Sequence, residues 1–248
     1  MVMAAAPLLS IVTITKDNPA GLSRTGRSLN DQTSHEFEWL VIDGGAPHDP
    51  RGEFGSLSPH LIQEPDRGLY DAMNKGLRKA AGDYILFLNA GDAVAEPGTL
   101  EALLSVLKAE QPDFLYGDAL EAGHYKRARS HRKARWGQFT HHQSMVYGRR
   151  ALGHLTYDPG YRIAADYKFT LQALSRARNI HYWPAAICDF EPGGVSQRSA
   201  RSGRQEERAI RRELRLCGPG GEALITGRHW LGAWLRVLSP SLYRRLRA

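Results

Sequence analysis

Short apolar runs alternate with helical patterns through the first half of the chain. Residues 8–14, 37–42 and 84–88 have the length and apolar content of buried strands, and 60–62 is a shorter, weaker candidate. Strands that alternate with helices are typical of proteins in which helices cover both faces of a mostly parallel sheet. The pattern therefore predicts an α/β fold.

A helix is predicted between the third and fourth of these strands. Leu69, Met73 and Leu77 recur at the spacing of one helical face. Asp66 precedes this face at a position suited to an N-cap, and Gly82 follows it at a position suited to the end of a helix.

The second half of the chain is less regular. Pro97 is expected to open a helix at its first position, where its missing N–H is tolerated. Residues 114–116 and 144–147 have the pattern of strands, and residues 165–177 have that of a helix. After Gly194 the pattern becomes helical and basic.

Composition places the chain among globular proteins. It has 248 residues, of which 42% are hydrophobic and 24% charged. No run of the sequence is apolar for long enough to cross a bilayer, and no charge precedes Lys16 as a secretory signal would require. Two cysteines, Cys188 and Cys217, are too few for a disulfide framework. We therefore expect a cytoplasmic protein.

The positive charge is unevenly distributed. The chain has 33 Lys and Arg against 26 Asp and Glu, and residues 122–157 contain no acid at all. A second basic zone, residues 198–247, is rich in arginine. Such zones favour an anionic partner, which could be phosphate, acidic lipid or nucleic acid, or they form a solvated basic face.

Polar residues follow three of the predicted strands. These are residues 13–17, 43–45 and 89–92, which include carboxylates and glycines. Ligands of open parallel sheets bind at the carboxyl ends of the strands. Any one of these segments alone would be explained as a turn, but the three together predict a site for a nucleotide and a hard divalent cation.

Four runs of sequence carry a resemblance to a known family. Residues 9–18, 41–45, 64–76 and 83–92 resemble, in order and spacing, family 2 glycosyltransferases of the GT-A fold, particularly bacterial polysaccharide and glycolipid members. Shorter similarities recur at 116–118, 142–143, 165–166 and 193–196. The resemblance implies a Rossmann-like GT-A catalytic domain over residues 1–197, with a nucleotide-sugar-binding half (8–118), an acceptor half (119–197) and a basic amphipathic helical tail (198–248).

The resemblance also implies an activity. Family members of this kind are inverting enzymes that use Mg²⁺ or Mn²⁺ and move a sugar from a nucleotide-diphosphate donor, here most simply a UDP-sugar. The acceptor would be a saccharide or a lipid-linked molecule in polysaccharide or glycolipid synthesis. The alternative is a non-catalytic nucleotide- or nucleic-acid-binding module on the same fold. Against nucleic acid, the basic runs lack the interleaved aromatic residues of a stacking platform.

The nucleotide-binding residues are carried over by motif. Thr13 and Thr15 would line the nucleotide pocket, and Asp43 would accept a hydrogen bond from the base. Asp66 would close over the ribose and phosphates, with Arg67 near the diphosphate.

The donor sugar and the metal have their own positions in the resemblance. Asn74 and Asn89 would lie on the sugar side of the donor. In the turn that matches the family's metal-binding motif, Asn89 and Gly91 replace acids and leave Asp92 as the only carboxylate. His142 is a second candidate metal ligand, although a lone histidine is as readily explained as a structural residue.

Asp166 is the candidate catalytic base. An inverting transfer needs a carboxylate that takes the proton of the acceptor hydroxyl as the anomeric carbon is attacked. The alternative is that Asp166 serves as an N-cap of the helix that follows it. Asp118, at the end of another predicted strand, is the next candidate to test.

The tail leaves two interpretations open. Tryptophans and arginines recur at helical spacing in residues 228–248. Such a helix either lies at an anionic membrane surface, on the inner face of the plasma membrane, or packs on the catalytic domain.

Overall fold

The computed structural model describes residues 6–46, 54–193 and 199–238, the side chains of 200, 228–233 and 235–238 excepted. The strands in this part of the chain are β1 Leu9–Thr15, β2 Phe37–Asp43, β3 His60–Gln63, β4 Tyr84–Phe87, β5 Ala93–Val94, β6 Phe114–Glu121, β7 His124–Lys126, β8 Met145–Gly148 and β9 Ile180–Phe190. The helices are α1 Pro19–Asn30, α2 Leu69–Lys79, α3 Thr99–Glu110, α4 Arg149–Leu152, α5 Ala165–Arg176, α6 Ala200–Glu213 and α7 Pro219–Leu238.

The strands form one sheet in the order β3-β2-β1-β4-β8-β6-β9-β5, with β7 paired to β6. The first four strands of this order are parallel, whereas β8 runs antiparallel to both β4 and β6. The chain leaves β1 toward β2 on one side and returns to β4 on the other. This reversal creates a crevice at the carboxyl ends of β1 and β4, where α/β proteins bind ligands. The predicted α/β class is confirmed.

The first helix, α1, was not predicted, because its segment is polar and contains two glycines. Its buried face consists of small and aliphatic residues: Gly21, Leu22, Thr25, Gly26 and Leu29. A Cβ on Gly26 would lie 2.2 Å from the ring of Phe54. Glycine there permits close packing, which a search for large apolar residues does not detect.

Two predicted helix starts are wrong by a few residues. The N-cap of α2 is Gly68 and its C-cap is Ala80, so neither Asp66 nor Gly82 caps this helix. Asp66 instead accepts a hydrogen bond from the N–H of Gly68 at 2.9 Å, in the turn before the helix. Likewise α3 begins at Thr99 rather than at Pro97.

The longest strand, β9, was also missed. It runs parallel to β6, and the pairing skips from Gly117–Trp183 to Asp118–Ala186. Pro184 falls in this irregularity, where the lost backbone donor does not interrupt the ladder. A proline inside an apolar run argues against a strand in sequence analysis, which explains the omission.

Two hydrophobic clusters cover the two faces of the sheet. One includes Val12, Met73, Tyr157, Phe169 and, from α6, the fully buried Ile210. The other packs α1 and α3 against the opposite face. Through Ile210 the first helix of the basic tail shares a core with the preceding domain, and the division at residue 197 stays a prediction.

Among the described helices, none combines the length and apolar character that a bilayer crossing requires. Both cysteines are free thiols, and Cys188 is buried.

Candidate functional site

Three loops converge at the carboxyl ends of β1, β2 and β3. Asp43 is buried at the end of β2, and its Oδ1 accepts a hydrogen bond from the N–H of Gly45 at 2.9 Å. A Cβ on Gly44 would lie 1.5 Å from Oδ2 of Asp66, and one on Gly45 would lie 2.7 Å from the backbone nitrogen of Asp17. The structure therefore brings Asp43 and Asp66 to one edge, and only glycine allows the loops to approach so closely.

The two threonines of β1 differ in surroundings. Thr13 is fully buried, and its hydroxyl accepts a hydrogen bond from the indole N–H of Trp39 at 2.9 Å. Thr13 therefore lies inside the sheet core and not at its surface. Thr15 ends β1, and its carbonyl accepts from the N–H of Gly44 at 3.1 Å. The nucleotide roles of both residues stay predictions.

Arg67 lies just before helix α2, and Asn74 lies within that helix. The side chain of Arg67 is 91% exposed, with its guanidinium 3.5 Å from Asp71. Asn74 is buried, and its amide donates to the Tyr157 carbonyl at 2.9 Å and accepts from the Tyr157 N–H at 2.8 Å. Asn74 thus connects α2 to the second half of the chain. Its contact with the donor sugar stays a prediction.

The turn at residues 89–92 follows β4 and holds the predicted metal position. Burial raises the pKa of Asp92 to about 7. Its Oδ1 accepts from the N–H of Glu191 at 3.0 Å. A Cβ on Gly91 would lie 2.0 Å from Oε2 of Glu191, so a second carboxylate adjoins this turn. In the described part of the chain, the buried Oδ1 of Asn89 has no hydrogen-bond partner.

Glu191 was not among the predicted site residues. It follows β9, whose carboxyl end lies beside the turn because β9 pairs with β5. Its position just before the motif at 193–196 was the one available signal.

Helix α1 supports the same turn from the other side. The N–H of Gly91 donates to the Gly21 carbonyl at 3.0 Å, and the hydroxyl of Thr25 donates to the Asp92 carbonyl at 2.6 Å. Arg24 donates to the carbonyl of Gly91. Gly91 has φ of +108°, a conformation that suits glycine. The missed helix therefore shapes the predicted metal position.

His142 lies in an aromatic core. Its ring packs against Phe87, Tyr147 and Tyr157, with Nε2 2.8 Å from the Tyr157 hydroxyl. Burial lowers the pKa of His142 to about 3, so the imidazole is neutral. These contacts describe a packing role, and its metal role stays a prediction. No group of three or more His, Cys, Asp or Glu side chains within the described residues is arranged to hold a metal.

Asp166 is the second residue of α5. The N-cap is Ala164, so the alternative that Asp166 is itself the N-cap is wrong. Its Oδ1 accepts from the N–H of Tyr167 at 2.8 Å and from the hydroxyl of Tyr70 at 3.3 Å. Its Oδ2 accepts from the amide of Gln138 at 3.0 Å. Burial raises the pKa of Asp166 to about 6.

Gln138 and Tyr70 are site residues that sequence reasoning missed. Gln138 lies in an irregular basic loop, and its buried Oε1 has no hydrogen-bond partner among the described residues. Tyr70 is on α2, 96 positions before Asp166. No periodicity links such distant positions. Tyr70 lies within the resembling run 64–76, which was the one signal for it, and the sequence held none for Gln138.

The carboxylate of Asp118, on β6, binds groups of β7, of β9 and of the loop after β7. Its carboxylate accepts from the Tyr125 hydroxyl at 2.6 Å, the Ala128 N–H at 2.7 Å and the Tyr182 hydroxyl at 2.9 Å. The residue is 2% exposed. The near-complete burial of Asp118 favours a structural role, and the base role of Asp166 stays a prediction.

Comparison with known proteins identifies the family. A family model described as "Glycosyl transferase family 2" matches residues 10–165. A PGL/p-HBAD biosynthesis glycosyltransferase of Mycobacterium bovis is 30% identical over 215 residues, which cover 77% of this chain and 80% of that protein. The uncharacterized glycosyltransferase MT1564 of Mycobacterium tuberculosis is 30% identical over 87% of this chain and 85% of its own length.

Solved structures share the fold. TarS of S. aureus, crystallised as a fragment with UDP-GlcNAc, superposes with a TM-score of 0.62 at 17% identity, covering 77% of this chain and 60% of that fragment. The mannosyltransferase PcManGT from Pyrobaculum calidifontis, solved with GDP-Man and Mn²⁺, gives a TM-score of 0.60 at 15% identity, covering 98% of this chain and 84% of that one.

These matches confirm the GT-A fold and give no support to a non-catalytic binding module. The match over residues 10–165, together with relatives 30% identical over most of the chain, shows that this protein belongs to the family 2 glycosyltransferases.

Proposed function

We propose that this glycosyltransferase uses a nucleotide-diphosphate sugar, most simply a UDP-sugar, and transfers the sugar with inversion to a saccharide or lipid-linked acceptor. The observation that carries the proposal is the geometry of Asp166, a carboxylate held by three hydrogen bonds with a pKa raised to about 6. A base of this kind is ionised at neutral pH yet retains affinity for a proton.

The proposed step is a single displacement. The acceptor oxygen attacks the anomeric carbon as the bond from that carbon to the diphosphate oxygen breaks, and the acceptor proton passes to Asp166. Tyr70 and Gln138 orient the carboxylate. The nucleoside diphosphate leaves on the opposite face.

The donor half binds the nucleotide. The loops that carry Asp43 and Asp66 lie at the carboxyl ends of β2 and β3, beside Thr15. Asp43 accepts from the base, and Asp66 and Arg67 lie over the ribose and diphosphate. The solved structures that share the fold hold UDP-GlcNAc and GDP-Man, so nucleotide sugars of two kinds occupy this fold.

A divalent cation fits the turn at residues 89–92. The available donors are hard oxygens: the carboxylate of Asp92, the unpartnered Oδ1 of Asn89 and the adjacent carboxylate of Glu191. Mg²⁺ or Mn²⁺ bound there would neutralise charge on the leaving diphosphate. Asp92 and Asn89 are the residues placed to hold it, with phosphate oxygens and water as further ligands.

The acceptor class is proposed from relatives. The M. bovis protein takes part in PGL/p-HBAD biosynthesis by its name, and another similar protein, RfbC of Myxococcus xanthus, is an O-antigen biosynthesis protein, 29% identical over 47% of this chain. These names favour a saccharide or a lipid-linked molecule in the synthesis of a cell-surface polysaccharide or glycolipid.

We place the protein in the cytoplasm, with peripheral contact to the inner face of the plasma membrane. Leu224 and Trp234 of α7 are 68% and 61% exposed, and the same helix carries Arg228 and Arg236. For the predicted tail contact of 228–248, the side chains of 228–233 and 235–238 and the whole of 239–248 lie outside the described part of the chain. Deletion of 228–248 should reduce salt-sensitive binding to anionic vesicles; unchanged binding would refute the membrane contact.

The proposed function is tested with a panel of UDP-, TDP- and GDP-sugars, each with Mg²⁺, with Mn²⁺ and with EDTA. We expect metal-dependent turnover of one donor and, by NMR, a product of inverted anomeric configuration. Retention of configuration would refute the single displacement. A rise in melting temperature with an oligonucleotide but with no nucleotide sugar would refute the proposed use of a nucleotide sugar.

A further inference from the structure

A glutamate from the basic C-terminal segment binds the backbone just before the helix of Asp166. Oε1 of Glu206 accepts a hydrogen bond from the N–H of Arg162 at 3.1 Å, and its Oε2 accepts from Ile163 and from Ala164, both at 2.8 Å. Ala164 is the N-cap, whose N–H is one of those that a helix leaves without an internal partner. A carboxylate at this end also offsets the positive end of the helix dipole.

The same segment is held from its other side by Tyr70. The Tyr70 hydroxyl lies 2.7 Å from the Ile163 carbonyl and 3.3 Å from Oδ1 of Asp166. Glu206 therefore holds the N–H groups of residues 162–164, while Tyr70 holds a carbonyl between them. Asp166 is two positions after Ala164, the last residue of this segment.

Helix α6 is itself anchored, so Glu206 is presented by a fixed element. Ile210 is fully buried in the core that includes Phe169 of α5. Glu213, at the end of α6, accepts from the hydroxyl of Tyr161 at 2.8 Å and pairs with Lys168 of α5. A carboxylate on such a helix can define the position of a neighbouring backbone segment.

We propose that Glu206 is a positioning residue for the transfer reaction, which fixes residues 162–164 and thereby the orientation of Asp166 toward the acceptor hydroxyl. The inference rests on the proposed role of Asp166. It means that a helix beyond the matched residues 10–165 completes the active site. Displacement of a catalytic group by about 1 Å can cost about 100-fold in rate.

The test compares Glu206→Ala and Glu206→Gln. We expect Ala to lower kcat about 10- to 100-fold with an unchanged donor KM, because the reacting carboxylate is misplaced while the nucleotide edge is intact. Gln should be intermediate, because its single carbonyl oxygen still accepts from one or two of the three N–H groups. Melting temperatures of both variants separate misplacement from loss of fold.

The matched control is Glu213→Gln, on the same helix. It weakens the contact of α6 with Tyr161 and Lys168 but leaves the N–H groups of 162–164 bonded. We expect transfer close to the wild-type rate. An equal loss of kcat in this control would show that any weakening of α6 suffices, and would overturn the specific role of Glu206.

A double-mutant cycle separates this inference from the function on which it rests. In an Asp166→Asn background, Glu206→Ala should cost less than about threefold further, since residues that act as a unit are not additive. A full additional loss would show that Glu206 acts elsewhere. If Asp166→Asn alone transfers sugar at the wild-type rate, Asp166 is not the base. If Asp166→Asn is inactive but Glu206→Ala transfers at the wild-type rate, only the positioning role of Glu206 is refuted.

Discussion

The proposed donor edge and the surroundings of Asp166 are built in different ways. At the donor edge, glycines and acids follow each parallel strand within a few residues, and the sheet brings the strand ends together. At the acceptor side, Asp166 is held by Tyr70 from α2, by Gln138 from a loop and, through residues 162–164, by Glu206 from α6. The first site follows from local sequence, whereas the second depends on contacts between distant positions.

The difference has a functional consequence. Changes at the donor edge should alter nucleotide or metal binding, and changes around Asp166 should alter the chemical step while donor affinity is kept. The two halves are joined by Asn74, which bonds the backbone of Tyr157 in both directions.

Among changes at the proposed donor edge, the largest effect is expected at Asp92. Asp92→Asn keeps an acceptor for the Glu191 N–H but removes the charge that would face the cation, so activity should fall by about 10²–10³-fold. Metal-dependent nucleotide binding, measured by calorimetry, should be lost as well. Full activity of this variant, or of the wild type in EDTA, would contradict a metal role for the donor half.

The ion pair between α6 and α7 tests whether the acceptor half includes the C-terminal helices. Arg211 and Glu222 are 2% and 3% exposed and form two hydrogen bonds, at 2.7 and 3.1 Å. Arg211→Ala removes both hydrogen bonds of the buried Glu222 and leaves it the longer contact with Arg208 at 3.9 Å. Loss of one partner of a buried ion pair typically costs about 3–5 kcal/mol of unfolding free energy. Denaturant melts would measure this, with exposed Arg212→Ala as the control. Equal unfolding free energies of the two variants would show that the contact between α6 and α7 does not contribute to the stability of the fold.

The donor edge can be disturbed without touching a polar side chain. Gly44→Ala would place a Cβ 1.5 Å from Oδ2 of Asp66, so the loops must move apart and donor KM should rise about tenfold or more with kcat little changed. Gly98→Ala is the matched control, because nothing lies within 4 Å of its Cβ position. A normal KM in Gly44→Ala would contradict the proposed nucleotide edge.

The smallest expected effect is on stability and concerns the acceptor half. The folded-state pKa of Asp166, about 6, lies above the ordinary value of 3.8, so its ionisation costs stability as pH rises through 6. Asp166→Asn should therefore raise the melting temperature by about 2–6 °C at pH 8. The gain should shrink through pH 6 and vanish below pH 4. A gain that is independent of pH would contradict the raised pKa.

The parallel half of the fold was predictable because each strand carries its own apolar run. The observed β1, β2, β3 and β4 lie within a residue or two of the predicted segments. The nearby acids could be grouped because strand ends in a parallel sheet share an edge. Helix α1 escaped because small residues form its packing face.

The surroundings of Asp166 were not predictable in the same way. Asp166 itself was identified by a motif, but Tyr70, Gln138 and Glu206 reach it only through the tertiary fold. For His142, a motif suggested a metal ligand, but the structure shows its ring packed among aromatic rings. Sequence pattern assigns faces and strand ends but not long-range side-chain pairs.

The most direct test of the account is Asp166→Asn, assayed for both donor binding and transfer. Asn retains an acceptor for the Tyr167 N–H and the Tyr70 hydroxyl, and rotation of the Gln138 amide turns its unpartnered Oε1 toward the new NH₂ group. The account predicts wild-type affinity for UDP and metal by calorimetry, with transfer reduced by about 10²–10⁴-fold. Transfer near the wild-type rate by this variant would contradict Asp166 as the base.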